Sequence, residues 1–411
     1  MSVLTGADAA ALGLPDHYDA AALFRCREPV ASSVELMRRL ADLERERGYR
    51  PTVVFEHLVD RPGRRVLANP YPRPVILASL GLHPGTWLET MTQRLEGGSP
   101  GVEHTTAPAP WHEVGGLDDL PVVQHRPGDA GRYVTAGVAV SADPDGRSVN
   151  LGVYRIQVVG NRHARIFMDP RTDGYRNAQA WAEQGQGMPL TVFLGADPAL
   201  MMVAASRLPA EGDDYTVAAR LLGSHLRVTE DRLPVPLSAT HVINGRVTDR
   251  LEPEGPFGEF KGHYVDARLS PAFEIDNVMV RASEAPFPTI LPGAESGLTL
   301  MSMQNEYLMY AHLRSAGINV TAVRYPLHAR AEFLAFVECT DPTREVLAMA
   351  MKFDVRAKVI VCGRDLGRPG LTLASNGFTT ISEPYVRKGL VEGERIGMLL
   401  NISQGGRPVE Y

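Results

Sequence analysis

The chain has 411 residues, enough for two or three domains, and its 44% hydrophobic and 22% charged residues are ordinary for a soluble globular protein. A net charge of −6 argues against a strongly basic nucleic-acid-binding face and favours small-molecule or protein partners. Three scattered cysteines, Cys26, Cys339 and Cys362, exclude a zinc cage or a disulfide framework and suit a reduced, cytoplasmic setting. The opening MSVLTGADAAALGLPD lacks the basic and apolar regions of a signal peptide, and no run approaches the ~18 apolar residues of a membrane span.

In chain order, SSVELMRRLADLERERG (32–48) predicts an amphipathic helix with Val34, Leu36, Met37, Leu40 and Leu43 near one face. PTVVFEHL and RPVILASLGL read as short β-rich runs. GGSPGVEHTTAPAPWHEVGG (97–116), rich in Gly, Pro and Thr, reads as a linker or wrapping loop that holds a domain boundary. From Pro121 the pattern turns β. A strand over Arg132–Ala142, a DPDG turn, a second strand over Val149–Gly160 and a third in ARIFMD suggest a barrel or sandwich. YRNAQAWAEQG reads as a helix and PLTVFLGA as a strand. In DPALMMVAASRL, Asp197 is the expected N-cap with Pro198 at the first helical position, and DDYTVAARLLG is a helix ending at Gly223. β-rich segments continue to about Ile290.

Beyond that point LTLMSMQNEYLMYAHLRSAG predicts a helix closed by Gly317. INVTAVRYP, AEFLAFVEC and AKVIVCG are strands and PTREVLAMAMKFD a helix, together a small α/β domain. The tail after Asp365 reads as irregular and suited to packing against a partner.

One stretch fits neither helix nor strand. PEGPFGEFKGH (253–263) sets Glu254 and Glu259 five residues apart, with Pro256 and two glycines between them. Taken alone, acids in such a bend are usually solvated, and Arg155 in the apolar strand GVYRIQVV most often faces water.

Four segments in order change that reading: PGDAGRYVTAGVAV, NLGVYRIQVVG, LGADPALMMVAASRLP and PEGPFGE. Together they resemble the UbiD-type decarboxylases, which use prenylated FMN to remove or add CO2 on unsaturated and aromatic acids. The resemblance is good over 107–291, looser near ANPYPRPVILASLGL, and one of pattern only in the last hundred residues. It implies a mixed α+β fold in which an antiparallel split β-barrel cofactor domain is flanked by α/β parts. The expected divisions are 1–105, 106–291 and 292–411, the last used for oligomerisation.

The resemblance also implies a Glu–Arg–Glu catalytic trio at Glu254, Arg155 and Glu259. Arg155 would hold the substrate carboxylate, Glu254 would pair with it, and Glu259 would deliver a proton where CO2 left. Such a trio is chemically apt. A guanidinium is always charged and offers a planar fork, and two close carboxylates with an arginine nearer one are driven to different proton affinities.

In the family a divalent metal, typically manganese, links the cofactor phosphate to an asparagine, a histidine and a glutamate, with potassium nearby. The asparagine falls on Asn150. The histidine position is Thr172, and the glutamate position is Ser224, beside His225, so two of three ligands have changed. Asp169, Asp173 or His225 are the candidate replacements; alternatively Arg171 or Arg207 binds the phosphate without metal. Tyr154 and Ser206 complete the expected cofactor contacts. His241 reads as a ligand, a pocket residue or, most simply, an exposed strand residue, and Lys261 as lining the pocket entrance.

The expected function is a carboxy-lyase acting on an aromatic, heteroaromatic or α,β-unsaturated acid. A flavin-binding but inactive homologue, or a non-catalytic subunit supporting a paralogue, is the alternative. A flavin prenyltransferase would supply the cofactor, with no nucleic acid or membrane involved. Assembly as a homodimer or higher suits the apolar helix near residue 300, whose stripe equally suits domain core.

Overall fold

A computed structural model describes residues 2–3, 23–31, 33–47, 50–98, 100–146, 149–206, 208, 213–260, 262–281, 285–291, 293, 295–364, 366, 378–387 and 390–400. Arg207 and Lys261, two expected site residues, lie outside the described residues. The chain divides into two compact units, Met1–Leu300 and Met301–Tyr411.

The centre of the first unit is an antiparallel sheet whose strand path runs Arg132–Val134, Ile156–Gly160, His163–Ile166, Arg268–Val280, His241–Glu254, Met188–Leu194, Val138–Ala142, Val149–Val153. His112–Val114 pairs with Arg268–Val280 outside that path. The two expected strands over 132–142 and 149–160 are each interrupted, at residues 135–137 and 154–155. The interruption has a topological meaning. Arg132–Val134 and Val149–Val153 sit at opposite ends of the path. Yet each continues along the chain into a strand near the other end. The sheet must therefore curl back on itself, with a split where the ladder lapses, and Arg155 stands at that split.

A second sheet is mixed, in the order Ser2–Val3, Leu23–Cys26, Thr52–Phe55, Val66–Ala68, Phe287–Thr289. The helix Val34–Arg47 buries Leu36, Met37, Leu40 and Leu43 in its core with Phe24, Val53 and Phe55. Residues 73–79 correct the sequence reading: RPVILAS is a helix, not a strand. Pro74 in its first turn needs no donor, and a short all-apolar run carries no period to separate the two states. The supposed linker over 97–116 contains strands as well. Val102–Thr105 pairs in parallel with Leu226–Thr229, a partner more than a hundred residues away that local composition could not reveal.

The second unit holds a five-stranded sheet in the order Val320–Arg324, Leu334–Cys339, Val359–Gly363, Leu390–Leu400, Phe378–Arg387. The helix Arg344–Phe353 buries Val346, Leu347, Ala350 and Met351. Its last two strands correct the expectation of an irregular tail; they pair antiparallel over ten residue pairs with one register shift. No helix among the described residues is long and apolar enough to cross a membrane.

Candidate active site

The long strand His241–Glu254 ends at Glu254, where Gly255 (φ +95°) turns the chain into a cis Gly255–Pro256 peptide. A short hairpin follows, Phe257–Gly258 against Tyr264–Val265, and Glu259 projects from it. From the split in the barrel Arg155 reaches both acids. Its Nε and Nη2 donate to the two oxygens of Glu254 at 2.9 and 2.8 Å, and its Nη1 donates to Glu259 Oε1 at 3.1 Å. Glu254 is fully buried, the Arg155 side chain is 9% exposed and that of Glu259 is 27% exposed. The three residues that the sequence placed together are thus brought together.

Aromatic rings complete this surrounding. The Arg155 guanidinium lies 4.5 Å from the Phe167 ring and 5.0 Å from that of Phe257, which packs 4.5 Å from Tyr133. The Tyr133 hydroxyl is buried without a hydrogen bond of good geometry. Burial first, then the charge of Glu254, pushes its pKa far up, so it remains a neutral phenol. None of Phe167, Phe257 and Tyr133 was singled out from sequence; single aromatic residues in β-rich segments read as core.

The residues expected at the cofactor phosphate are arranged differently. Asn150 lies on Val149–Val153 with a buried Nδ2 that has no hydrogen-bond partner. It borders a polar cavity of about 320 Å³ shared with Asp173, Arg176, Asn177, Asp213 and Asp214. Thr172 is the N-cap of the helix Asp173–Glu183, accepting from Tyr175 N and donating to Asp169 O at 2.8 Å. Tyr154 is buried, with its hydroxyl beside Thr172, the Gly174 amide and Asn150. Burial raises its pKa, and those three neighbours oppose the shift. A Cβ on Gly174 would stand 2.3 Å from that hydroxyl, so only glycine fits there.

The other expected contacts are dispersed. Arg171 is 86% exposed and forks onto Asp169, whose pKa it lowers to about 2. Ser206 bonds back to Met202 O within its own helix, and Ser224 and His225 are exposed. His241 is buried rather than exposed: it meets Thr240 Oγ1 at 2.9 Å and the Phe287 ring edge-on. The barrel curls its strand inward at that point.

For a metal, the residues present do not fit the family set. Among the described residues no three His, Cys, Asp or Glu side chains are grouped to hold an ion. The Thr172 hydroxyl is committed to its helix, and Ser224 faces solvent. For a flavin phosphate the fit is better at one point, because the orphaned Asn150 Nδ2 is a donor awaiting an acceptor.

Residues 103–295 match the family model described as the 3-octaprenyl-4-hydroxybenzoate carboxy-lyase Rift-related domain, UbiD. A phenolic acid decarboxylase of Streptomyces sp. strain D7 is 33% identical over 189 residues, 42% of this chain and 40% of that one. An uncharacterized protein of Archaeoglobus fulgidus is 26% identical over 271 residues, 64% of this chain and 56% of that one. The matched stretch thus spans between 40% and 56% of those two relatives. Among solved structures, the UbiD-class enzyme HmfF from Pelotomaculum thermopropionicum in complex with FMN superposes with a TM-score of 0.81. It is 21% identical, with 95% of this chain and 94% of that chain covered. The vanillic acid decarboxylase of Sedimentibacter hydroxybenzoicus in open form gives 0.79 at 18% identity, with 95% and 92% covered. The fold of the UbiD-class enzymes is therefore shared along nearly the whole chain, and residues 103–295 match the UbiD family model.

Proposed function

We propose that the protein is a carboxy-lyase that removes, or in reverse adds, CO2 at an aromatic, heteroaromatic or α,β-unsaturated carboxylic acid, with prenylated FMN as cofactor. The observation that carries this reading is one guanidinium, Arg155, bonded to both Glu254 and Glu259 inside a UbiD-family domain. The names of relatives agree: HmfF has been solved with FMN and with prenylated FMN, and the Streptomyces relative is a phenolic acid decarboxylase.

When bound, prenylated FMN supplies the electron sink that a carbon losing CO2 requires and no side chain offers. The chain's own part is to hold charge and move a proton. Glu254, through two bonds, fixes the plane of the Arg155 fork. Arg155 then offers its remaining donor edge to the substrate carboxylate. Glu259 holds the arginine by one bond and reaches solvent, so it can swing to the vacated carbon, give up a proton and be recharged from water. Phe167 and Phe257 keep water off the guanidinium faces. Asn150, with its unpartnered Nδ2, is the described residue that would hold the phosphate end, with Tyr154 beside it. A homodimer or higher homo-oligomer, supplied with cofactor by a flavin prenyltransferase, belongs to the same reading.

The altered phosphate end favours a second reading, a homologue that binds flavin without turnover or supports an active paralogue. Coexpression with a flavin prenyltransferase separates them. A coloured protein that releases CO2 from one or more test acids supports the decarboxylase. A coloured but inert protein supports the second reading, and a colourless one removes the cofactor from both. In the active case Glu259→Gln should lower CO2 release by about 10²- to 10⁴-fold with cofactor retained. Full activity in that variant would overturn the role given to Glu259.

A further inference from the structure

We propose that Asp129 is a positioning residue that locks the acid-bearing bend to the arginine-bearing strand. The consequence for turnover rests on the decarboxylase reading above; the lock itself does not.

The segment PGDAG (127–131) has had no part in the chemistry so far. Asp129 is buried, 6% exposed. Both its carboxylate oxygens accept from backbone. Oδ2 accepts from Arg126 N at 2.8 Å, which closes the loop on itself, and Oδ1 accepts from Gly258 N at 2.9 Å, 129 residues away. The next residue extends the contact: Ala130 N donates to Pro256 O at 2.9 Å. Arg126 Nη1 donates to Gly258 O, so Gly258 is held at both its amide and its carbonyl. A Cβ on Gly258 would lie 2.4 Å from that Arg126 nitrogen, so a larger residue there would push the guanidinium aside.

The same loop grips the other half of the trio. Ala130 O accepts from Gln157 Nε2, and Gln157 follows Arg155 by two residues on a strand of the barrel. Residues 126–130 thus bond to the bend between Glu254 and Glu259 and to the strand that begins just after Arg155. A carboxylate suits this post because it only accepts, and it can take two N–H groups at once. An asparagine would turn its own N–H toward one of them. Burial pushes the Asp129 pKa up, and the backbone bonds from Gly258 and Arg126 oppose that shift. Glu259 is the residue directly after Gly258. A shift of Gly258 is therefore passed to the proton donor, and misplacement by about 1 Å can cost about 100-fold in rate.

The test uses full-length, cofactor-loaded Asp129→Asn. We expect kcat to fall about 10- to 100-fold with KM within about 3-fold, and the pH dependence of kcat to move, since Glu259 no longer keeps its place beside Arg155. A merely structural role would reduce the amount of folded enzyme and leave KM, pH profile and kcat per folded molecule unchanged; that result overturns the proposal. Should Asp129→Asn not fold, Arg126→Met, which removes the bond to Gly258 O, is held to the same criteria. If the wild type releases no CO2 from any acid, the decarboxylase reading fails. The lock is then decided by amide hydrogen exchange at Gly258. Exchange at least about 10-fold faster in the variant than in the wild type upholds it, and equal protection overturns it.

Discussion

The two ends of the site are built on opposite terms. At the trio, each charged group has a bonded partner, and the acids and the arginine hold one another in fixed geometry. At the expected phosphate end, a buried donor of Asn150 is unpartnered, Thr172 serves its helix, and Ser224 and His225 face solvent. Proton delivery needs a particular acid at a particular carbon. Anchoring a phosphate needs only enough donors and positive potential, which several arrangements can supply. The first task admits little substitution; the second tolerates a change of parts.

Three measurements bear on that contrast. The largest effect is expected from Glu254→Ala. It strips a buried guanidinium of its two-bond partner and should lower stability by about 3 kcal/mol in urea unfolding. A loss below about 1 kcal/mol would remove the distinction between the two ends.

The next effect is in pH. His125, at the trio end, bonds to Thr289 and is fully buried, and burial takes its pKa from 6.5 to about 3. Between those values the unfolded chain binds more protons, so stability is full above pH 6.5 and is lost as pH falls toward 3. That loss is about 2 kcal/mol at pH 5. Asp197 caps the helix that runs to Ser206's neighbour Ala205, and burial raises its pKa from 3.8 to about 6. Here the folded chain binds more protons, so the contribution is present below pH 3.8 and lost as pH rises through 6. It amounts to about 1–2 kcal/mol, since the carboxyl is not wholly closed off from water. The two windows overlap with opposite sign, so in thermal melts from pH 4 to 8 His125→Gln should lose the rise in stability toward pH 6.5, and Asp197→Asn should lose the fall between pH 4 and 6. Unchanged curves would discard the assignment.

The smallest effect is expected from metal removal. Dialysis against EDTA should leave FMN affinity, read by flavin fluorescence, within about 2-fold, because among the described residues no three His, Cys, Asp or Glu side chains are grouped to hold an ion. A tenfold loss restored by manganese would show that the phosphate end is metal-built after all.

Much of the barrel was legible because period-two alternation and turn residues are local signals. The trio was legible only through four segments read together, since neither a Gly-Pro bend nor a strand arginine is distinctive alone. What stayed hidden depends on partners far along the chain. The break at Tyr154–Arg155 looks like uninterrupted strand in GVYRIQVV, because only the neighbouring 135–137 interruption makes the ladder lapse there. RPVILAS was misread for want of a period, and the parallel pairing of Val102–Thr105 with Leu226–Thr229 leaves no trace in composition. His241 looked exposed because strand alternation does not say which way a sheet will curl.

The trio's bonds span 99 and 104 residues of sequence. Contacts that close such long loops form late, after the sheet between them has zipped, because chain entropy opposes them until neighbouring strands have been ordered. Until then a guanidinium and two carboxylates remain in water, each fully hydrated. Competence of this site is therefore a report on finished folding. A ribosome-bound or proteolytically shortened chain that stops before residue 254 holds the arginine without either acid.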